Sequence, residues 1–214
     1  MSLLQVISFI AYFGIVFYIL RQVDFSAWLK QGRFQHIVFG SCASLFILWL
    51  FRTGIYDGLD VHFLWLAALT LLLGFRWAII SASLAMLGCV LVGMEPWQNI
   101  GVTGLAGVVV PISISYAIYA LSFHKLPKHF FIYVFVCGFF GGMAALGLKM
   151  ATLAGYFWLA DIHDWQTIVD NYLILIPLLL FPEGLLNGMS MTMLIIYKPD
   201  WVYTFHDKFY LDGK

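Results

Sequence analysis

His62 is the histidine whose surroundings best fit chemistry with a metal ion. It begins an apolar run and follows two carboxylates, Asp57 and Asp60. Imidazole is a common ligand of divalent transition metals, and carboxylates can complete such a site. A short helix that enters the membrane from outside is also a familiar way to present a transporter site. The pattern predicts a metal site of His62, Asp60 and Asp57; the alternative is a histidine that only forms hydrogen bonds at a helix start.

Glu183 is the second candidate, because it lies near the middle of an apolar segment, where a carboxyl group is costly. Pro182 precedes it and leaves a carbonyl group free nearby, and Asn187 follows one helical turn later on the same face. We predict that Glu183 and Asn187, together with Glu95 on the outer side, lie along a substrate path. The alternative is a structural glutamate that ties two helices together through hydrogen bonds.

A third group of polar residues lies in one predicted outer loop. Asp161, His163 and Asp164 place two carboxylates and an imidazole close together in the sequence. This spacing predicts a cluster that attracts cations; the alternative is a solvated acidic loop. Lys149 is interpreted as a lysine that extends to the outer membrane interface, with an ion pair to Glu183 as the alternative.

The composition places these groups in a membrane protein. Of 214 residues, 63% are hydrophobic and only 10% are charged, whereas a soluble domain carries about 25% charged residues. Most of the surface must therefore contact membrane lipid. The net charge of zero argues against nucleic-acid binding, which needs a basic surface. No Walker A or hydrolase motif occurs in the sequence, so we predict that the chain binds no nucleotide and carries no catalytic residue.

The elements that must position the candidate residues are long apolar segments. A spanning helix needs about 20 apolar residues, and about seven segments approach that length. The sequence therefore predicts an all-α integral membrane protein with about seven transmembrane helices, one of them short or half-length. The predicted segments are Leu3–Leu20, His36–Phe51, the short Val61–Leu73, Trp77–Met94, Ile100–Phe123, a sixth that begins at Phe130 and passes Leu148, and Tyr172–Tyr197.

Loop charges predict the orientation of the chain. Nine of the eleven basic residues fall in loops on one side of the predicted bundle. Because basic loops stay in the cytoplasm, we predict a multi-pass protein of the bacterial inner membrane with its N-terminus outside and its C-terminus in the cytoplasm. The nine residues are Arg21, Lys30, Arg33, Arg76, Lys125, Lys128, Lys198, Lys208 and Lys214.

The chain divides into a transmembrane helical domain, residues 1–198, and a predicted cytoplasmic amphipathic tail, residues 199–214. Aromatic and polar residues are interspersed in this tail, so we expect it to lie on the membrane surface and to dock a partner. Within the domain, two groups of glycines predict close contacts between helices. They are Gly101, Gly104 and Gly107, and Gly138, Gly141 and Gly142.

Two stretches of the sequence resemble the CbiM-type cobalt/nickel-uptake permeases. Residues 58–74, GLDVHFLWLAALTLLLG, are similar to a family segment in which a histidine follows a glycine by four residues and the apolar run closes on LLLG. The match places His62 on the family's histidine and Gly74 on its closing glycine. Residues 181–202 are similar to the family's last helix, with its glutamate and its basic residue followed by proline.

The resemblance implies the substrate-binding component of an energy-coupling-factor ABC transporter, a permease that captures a divalent cobalt or nickel ion. Its partners would be a transmembrane coupling component and two ATPase subunits. Of the family's metal ligands only His62 carries over, since the family begins Met-His-Ile-Pro-Asp and this chain begins Met-Ser-Leu-Leu. Gly101-Val102-Thr103 also stands where the family has Gly-x-Asn. We therefore interpret the chain as a divergent branch that lacks the N-terminal Met-His motif.

Two other functions are compatible with the same residues. The first is a metal-dependent integral-membrane enzyme that uses His62, Glu183 and the outer carboxylates. The second is a membrane sensor or assembly factor without catalysis. The absence of an ATPase or hydrolase motif favours the transport component over both.

Overall fold

The computed structural model describes residues 2–205 as a bundle of α-helices. Six helices in this range are long and apolar enough to cross a membrane, which confirms the predicted all-α membrane fold. Two short helices connect or extend the long ones. The helices are α1 (Leu3–Arg21), α2 (Phe25–Leu29), α3 (Gly32–Leu50), α4 (Leu66–Leu91), α5 (Trp97–Lys125), α6 (Phe130–Leu159), α7 (Trp165–Asn171) and α8 (Ile176–Tyr197).

Helix α4 is broken at Gly74, which has φ 76° and ψ 167°. Only glycine adopts this backbone conformation readily. The first arm, residues 66–73, is about 12 Å long at 1.5 Å per residue, and every residue in it is buried. At Gly74 the chain reverses, and the second arm, residues 75–91, runs back along the bundle. The predicted half-length helix is therefore confirmed, as one arm of a folded helix.

The start of this half-length helix differs from the prediction. The sequence placed it at Val61, whereas the structure begins the helix at Leu66. Val61 cannot join the helix because its backbone pairs with Thr53, with N–H···O distances of 2.8 and 3.0 Å. Residues 51–65 are thus irregular chain: residues 53–57 are exposed, and the chain enters the bundle at Leu59, Val61 and Leu64, which are buried.

Contacts between loops place the described residues at two opposite ends of the bundle. At one end of the bundle lie the start of α1 and the loops before α4 and α7. At the opposite end lie the chain beyond α8 and the break at Gly74. The two termini of the bundle are therefore on opposite sides, and which side is cytoplasmic stays a prediction. The pairs at the first end are Gln5–Asn99, Arg52–Glu95 and Asp57–His163, and those at the second are Gln22–Arg76 and Arg33–Asp200.

Two glycines allow α1 and α5 to approach closely. A Cβ atom on Gly101 would lie 2.4 Å from the backbone nitrogen of Phe9, and one on Gly104 would lie 2.6 Å from the ring of Tyr12. In the second predicted group, a Cβ on Gly142 would lie 2.8 Å from the side chain of Asn187 in α8. These close approaches match the predicted role of the glycines. Gly107 differs, because a Cβ there would contact only its own helix, at 3.6 Å from Thr103.

The segment after α8 packs against the break in α4. The backbone N–H groups of Tyr203 and Thr204 donate to the carbonyl oxygens of Leu72 and Leu71, at 3.0 and 3.3 Å. The hydroxyl of Thr204 donates to Leu71 as well, at 2.7 Å. These bonds satisfy carbonyl groups that the end of a helix otherwise leaves unpaired. The remaining tail residues, 206–214, lie outside the described residues, so an amphipathic tail stays a prediction.

We expect Gly74→Ala to lower the free energy of unfolding by about 1–3 kcal/mol, the usual cost of a strained backbone conformation. The alanine would need a positive φ, and its Cβ would lie 2.8 Å from the ring of Tyr203. Unfolding of the purified protein in detergent measures the loss. Gly155→Ala in α6 is the matched control, because no atom lies within 4 Å of a Cβ there. Equal stability of the two variants would contradict the prediction.

Candidate functional site

The buried first arm of α4 begins against two polar side chains of α8. One carboxyl oxygen of Glu183 accepts from the backbone N–H of Leu64 at 2.9 Å, and the other accepts from Trp65 at 2.8 Å. The side-chain oxygen of Asn187 accepts from the N–H of Ala68 at 2.8 Å. These acceptors satisfy donors at a helix start that has no capping side chain of its own.

Glu183 and Asn187 also bind each other. The Asn187 amide donates to the Glu183 side chain at 2.7 Å and to its carbonyl oxygen at 2.8 Å. Both residues are fully buried. The Glu183 side chain receives three N–H donors, and a negative group is favoured at a helix N-terminus. The geometry is that of a tie between two helices, and the predicted position of this pair on a substrate path stays a prediction.

Next to this tie, a partly open cavity of about 40 Å³ lies between α3, α4, α5, α6 and the irregular chain of residues 51–65. Two of the three predicted metal ligands, His62 and Asp60, line it, and so does Glu95. Glu183 is not among the lining residues. The other polar or charged lining residues are Trp49, Arg52, Cys89, Asn99, Thr103, Lys149 and Tyr156.

The ring of His62 is oriented by two hydrogen bonds. Its Nδ1 lies 3.0 Å from the carbonyl oxygen of Phe63, and its Nε2 lies 3.2 Å from Nζ of Lys149. A carbonyl oxygen can only accept, so Nδ1 carries the hydrogen. An ammonium can only donate, so Nε2 is the acceptor and the imidazole is neutral. His62 therefore presents the lone pair of Nε2 toward Lys149.

Lys149 lies inside the bundle, so its interpretation as an interfacial lysine is wrong. Lys149 is only 3% exposed to solvent. Within the described residues, its hydrogen-bond partner is Nε2 of His62, and the alternative ion pair with Glu183 is not formed. The position of Lys149 along α6 suggested the membrane interface. In the structure, however, the chain of residues 51–65 folds against the bundle and places His62 next to Lys149.

Arg52 connects the two acidic residues of the cavity. Its Nη1 lies 3.1 Å from Oδ2 of Asp60 and 2.8 Å from Oε2 of Glu95. The other oxygen of Glu95 accepts from the hydroxyl of Thr103 at 2.7 Å. Sequence reasoning missed Arg52 and Thr103. A signal existed for Arg52, which is the one basic residue in the predicted outer loops.

The cavity is balanced in charge. Arg52 and Lys149 contribute two positive charges, Asp60 and Glu95 contribute two negative ones, and His62 is neutral. Across residues 2–205 there is no group of three or more His, Cys, Asp or Glu side chains arranged to hold a metal ion. Binding a divalent cation at His62 therefore requires the charged groups of the cavity to rearrange.

A comparison with protein families shows to which family the chain belongs. The family model for the cobalt uptake substrate-specific transmembrane region, CbiM, matches residues 3–201, nearly the whole chain. The chain belongs to the CbiM family. No curated protein and no solved structure matches it significantly.

The CbiM-like stretch of residues 58–74 has a glycine with positive φ at each end. Gly58, with φ 79°, packs on the ring of Phe157, where a Cβ would lie only 2.4 Å from a ring atom. Gly74 reverses the helix at the other end. His62 and the N-terminus of the half-length arm lie between these points. Residues 58–74 thus determine where the chain enters the bundle, where His62 lies and where the half-length arm ends.

The sites of departure from the CbiM pattern lie beside the same cavity. Thr103, in the stretch that replaces the family's Gly-x-Asn, binds Glu95. At the N-terminal end of α1, the Gln5 amide donates to the side chain of Asn99 at 2.9 Å, and Asn99 lines the cavity. The N-terminal end of the helix bundle is therefore close to the cavity.

The outer-loop residues have structural partners in this CbiM member. Nε2 of His163 lies 3.0 Å from the carbonyl oxygen of Asp57, so the Asp57 backbone faces the loop, and its side chain does not line the cavity. Asp164 caps α7, and bonds from the hydroxyl and N–H of Thr167 lower the pKa of its carboxyl group. Asp161 has a positive φ of 54° at the turn. A role in attracting cations stays a prediction for this cluster.

The cavity also contains a polar group without a protein partner. The hydroxyl of Tyr156 is buried and forms no hydrogen bond with any group of residues 2–205, although its residue lines the cavity. A buried hydroxyl without a partner is costly. It is therefore available to a ligand or to water that enters the cavity.

Proposed function

We propose that the chain is the substrate-capture component of an energy-coupling-factor transporter in the inner membrane, and that its substrate is a divalent transition-metal ion, cobalt or nickel. Membership of the cobalt uptake family supports a metal substrate. A transmembrane coupling component and two ATPase subunits would supply the energy, in agreement with a sequence that has no nucleotide-binding motif.

The single observation that carries this proposal is the cavity at His62. Its volume of about 40 Å³ suits an ion with little water and is far below the roughly 300 Å³ of the smallest typical small-molecule sites. His62 offers an unprotonated nitrogen, and Asp60 and Glu95 offer carboxylate oxygens. Nitrogen and oxygen donors of this kind suit Co²⁺ and Ni²⁺.

In this proposal the half-length arm of α4 positions the donors. Leu64 and Trp65, two and three residues after His62, bind Glu183 directly. The tie fixes the backbone of the metal-binding segment to α8, while Thr204 and Tyr203 fix the other end of the arm. A movement of α8 driven by the coupling component would therefore reach His62 through rigid, hydrogen-bonded elements and could release the ion.

We expect His62→Ala to weaken Co²⁺ binding to the purified protein at least about 10-fold, because each metal–ligand contact contributes strongly and even supporting residues change affinity by about 10–100-fold. Equilibrium dialysis against CoCl₂ and NiCl₂ measures the change. His163→Ala is the control, since this histidine lies in the outer loop and does not line the cavity.

Metal accumulation in cells tests the transport part of the proposal. Expression with ATPase and coupling subunits from the same genome should raise cobalt or nickel uptake, and His62→Ala should abolish the increase. Copurification with those subunits measures the partnership directly. Absence of cobalt and nickel binding at millimolar metal, both to the folded wild type and to a folded variant without the charge of Lys149, would reject the metal substrate.

A further inference from the structure

The contact between Lys149 and His62 places a fixed positive charge at the position where a cation would bind. Nζ of Lys149 lies 3.2 Å from Nε2 of His62, within hydrogen-bond distance of the one lone pair that the neutral ring offers. The residue is 3% exposed, so water does not screen its charge well. Asp60 and Glu95 line the same cavity as Lys149.

We propose that Lys149 is an internal competitor for the cation site: its ammonium group occupies the lone pair of His62 and must withdraw before a metal ion binds. This inference rests on the proposed function, because it concerns the same cavity. It assigns to Lys149 the role of setting the affinity of the site, without direct contact with the bound ion.

Two physical reasons make the ammonium and the metal ion mutually exclusive. Nε2 has a single lone pair, which either accepts a hydrogen bond or coordinates a metal. A divalent ion bound there would also lie within a few ångströms of Nζ, where two positive charges repel each other strongly because the site is buried and poorly screened by water. When the ion is captured, it therefore replaces the ammonium group of Lys149 at Nε2 of His62.

The net charge of the cavity determines how strongly a divalent ion binds after this exchange. With Lys149 in place, the carboxylates Asp60 and Glu95 have two cations to neutralise them. If the lysine charge were removed, the same cavity would have a net charge of −1 and a free nitrogen. Such a site would attract a divalent ion much more strongly than the natural one. The lysine thus keeps binding weak enough for the ion to be released.

The test compares Co²⁺ binding to full-length purified wild type, Lys149→Met and Lys149→Arg. Lys149→Met keeps the length of the side chain and removes the charge, and we expect its affinity for Co²⁺ to rise at least about 100-fold. Lys149→Arg keeps the charge and should show no such gain. The double variant His62→Ala with Lys149→Met should lose the gain. Lys149→Gln is a second uncharged variant if Lys149→Met does not fold.

The outcomes separate the two proposals. Equal, measurable affinity in wild type and in a folded uncharged variant would overturn the competitor role and leave the metal-uptake proposal intact. A gain that persists without His62 would overturn displacement from His62. Absence of Co²⁺ and Ni²⁺ binding in both wild type and the uncharged variants would reject the proposed metal substrate, and the competitor role with it.

Discussion

Replacing Glu183 with alanine is expected to lower the free energy of unfolding by about 3–5 kcal/mol, because each buried donor left without an acceptor costs about 1–3 kcal/mol. The change removes the acceptors of the Leu64 and Trp65 N–H groups. Both donors lie at the buried start of the half-length arm, where water cannot replace the carboxyl group. Unfolding of the purified protein in detergent, followed by circular dichroism, measures the loss.

Two further variants make this result specific to the hydrogen bonds. Glu183→Gln keeps the shape and one acceptor oxygen, so its loss should be smaller than that of Glu183→Ala. Leu185→Ala changes an exposed, lipid-facing position of the same helix and should have little effect. A loss below about 1 kcal/mol for Glu183→Ala would mean that the tie contributes no more than an ordinary hydrogen bond.

The same variants test the predicted substrate path. If Glu183→Gln folds stably but no longer binds Co²⁺, Glu183 has a functional role beyond the tie. If metal affinity is unchanged while stability falls, its role is structural, which is the alternative that the sequence left open. The geometry supports the structural role, because Glu183 does not line the cavity around His62.

The burial of Glu183 was predictable, but its partners were not. A carboxyl group in an apolar segment signals a costly burial that must be compensated. The compensating donors are backbone N–H groups of a helix start in α4, more than a hundred residues earlier in the chain. Side-chain patterns do not specify backbone donors, and the periodicity of the sequence placed the helix start at Val61, five residues before Leu66.

The cavity was predictable in part for a related reason. His62, Asp60 and Glu95 were selected by type and by their place on the outer side, and they do line one cavity. The cations Lys149 and Arg52 were not included, because their positions in the sequence fit an interfacial lysine and a loop arginine. Their burial depends on the path of residues 51–65 into the bundle, which contains a single β-bridge, between Thr53 and Val61, and a turn in which the Leu59 N–H donates to the carbonyl oxygen of Tyr56.

Replacing Arg52 with methionine is the second substitution with a large expected effect, a loss of about 3 kcal/mol in the free energy of unfolding. The side chains of Arg52 and Glu95 are each 12% exposed and that of Asp60 is 25% exposed. Both carboxylates contact the same nitrogen, so removing the arginine leaves two negative charges close together with less compensation. Thermal unfolding of the purified variant in detergent measures the loss.

Removal of one carboxylate charge should reverse this effect. The double variant Arg52→Met, Glu95→Gln keeps Asp60 opposite Lys149, so the cavity stays neutral, and it should regain most of the stability, because the cost of breaking a buried ion pair is mainly the charge left behind. Arg33→Met is the control: its ion pair with Asp200 is 3.5 Å long and the two side chains are 60% and 75% exposed, so its loss should stay below about 1 kcal/mol. If Arg52→Met is no more destabilising than Arg33→Met, the ion pairs of Arg52 with Asp60 and Glu95 contribute little to the stability of the fold.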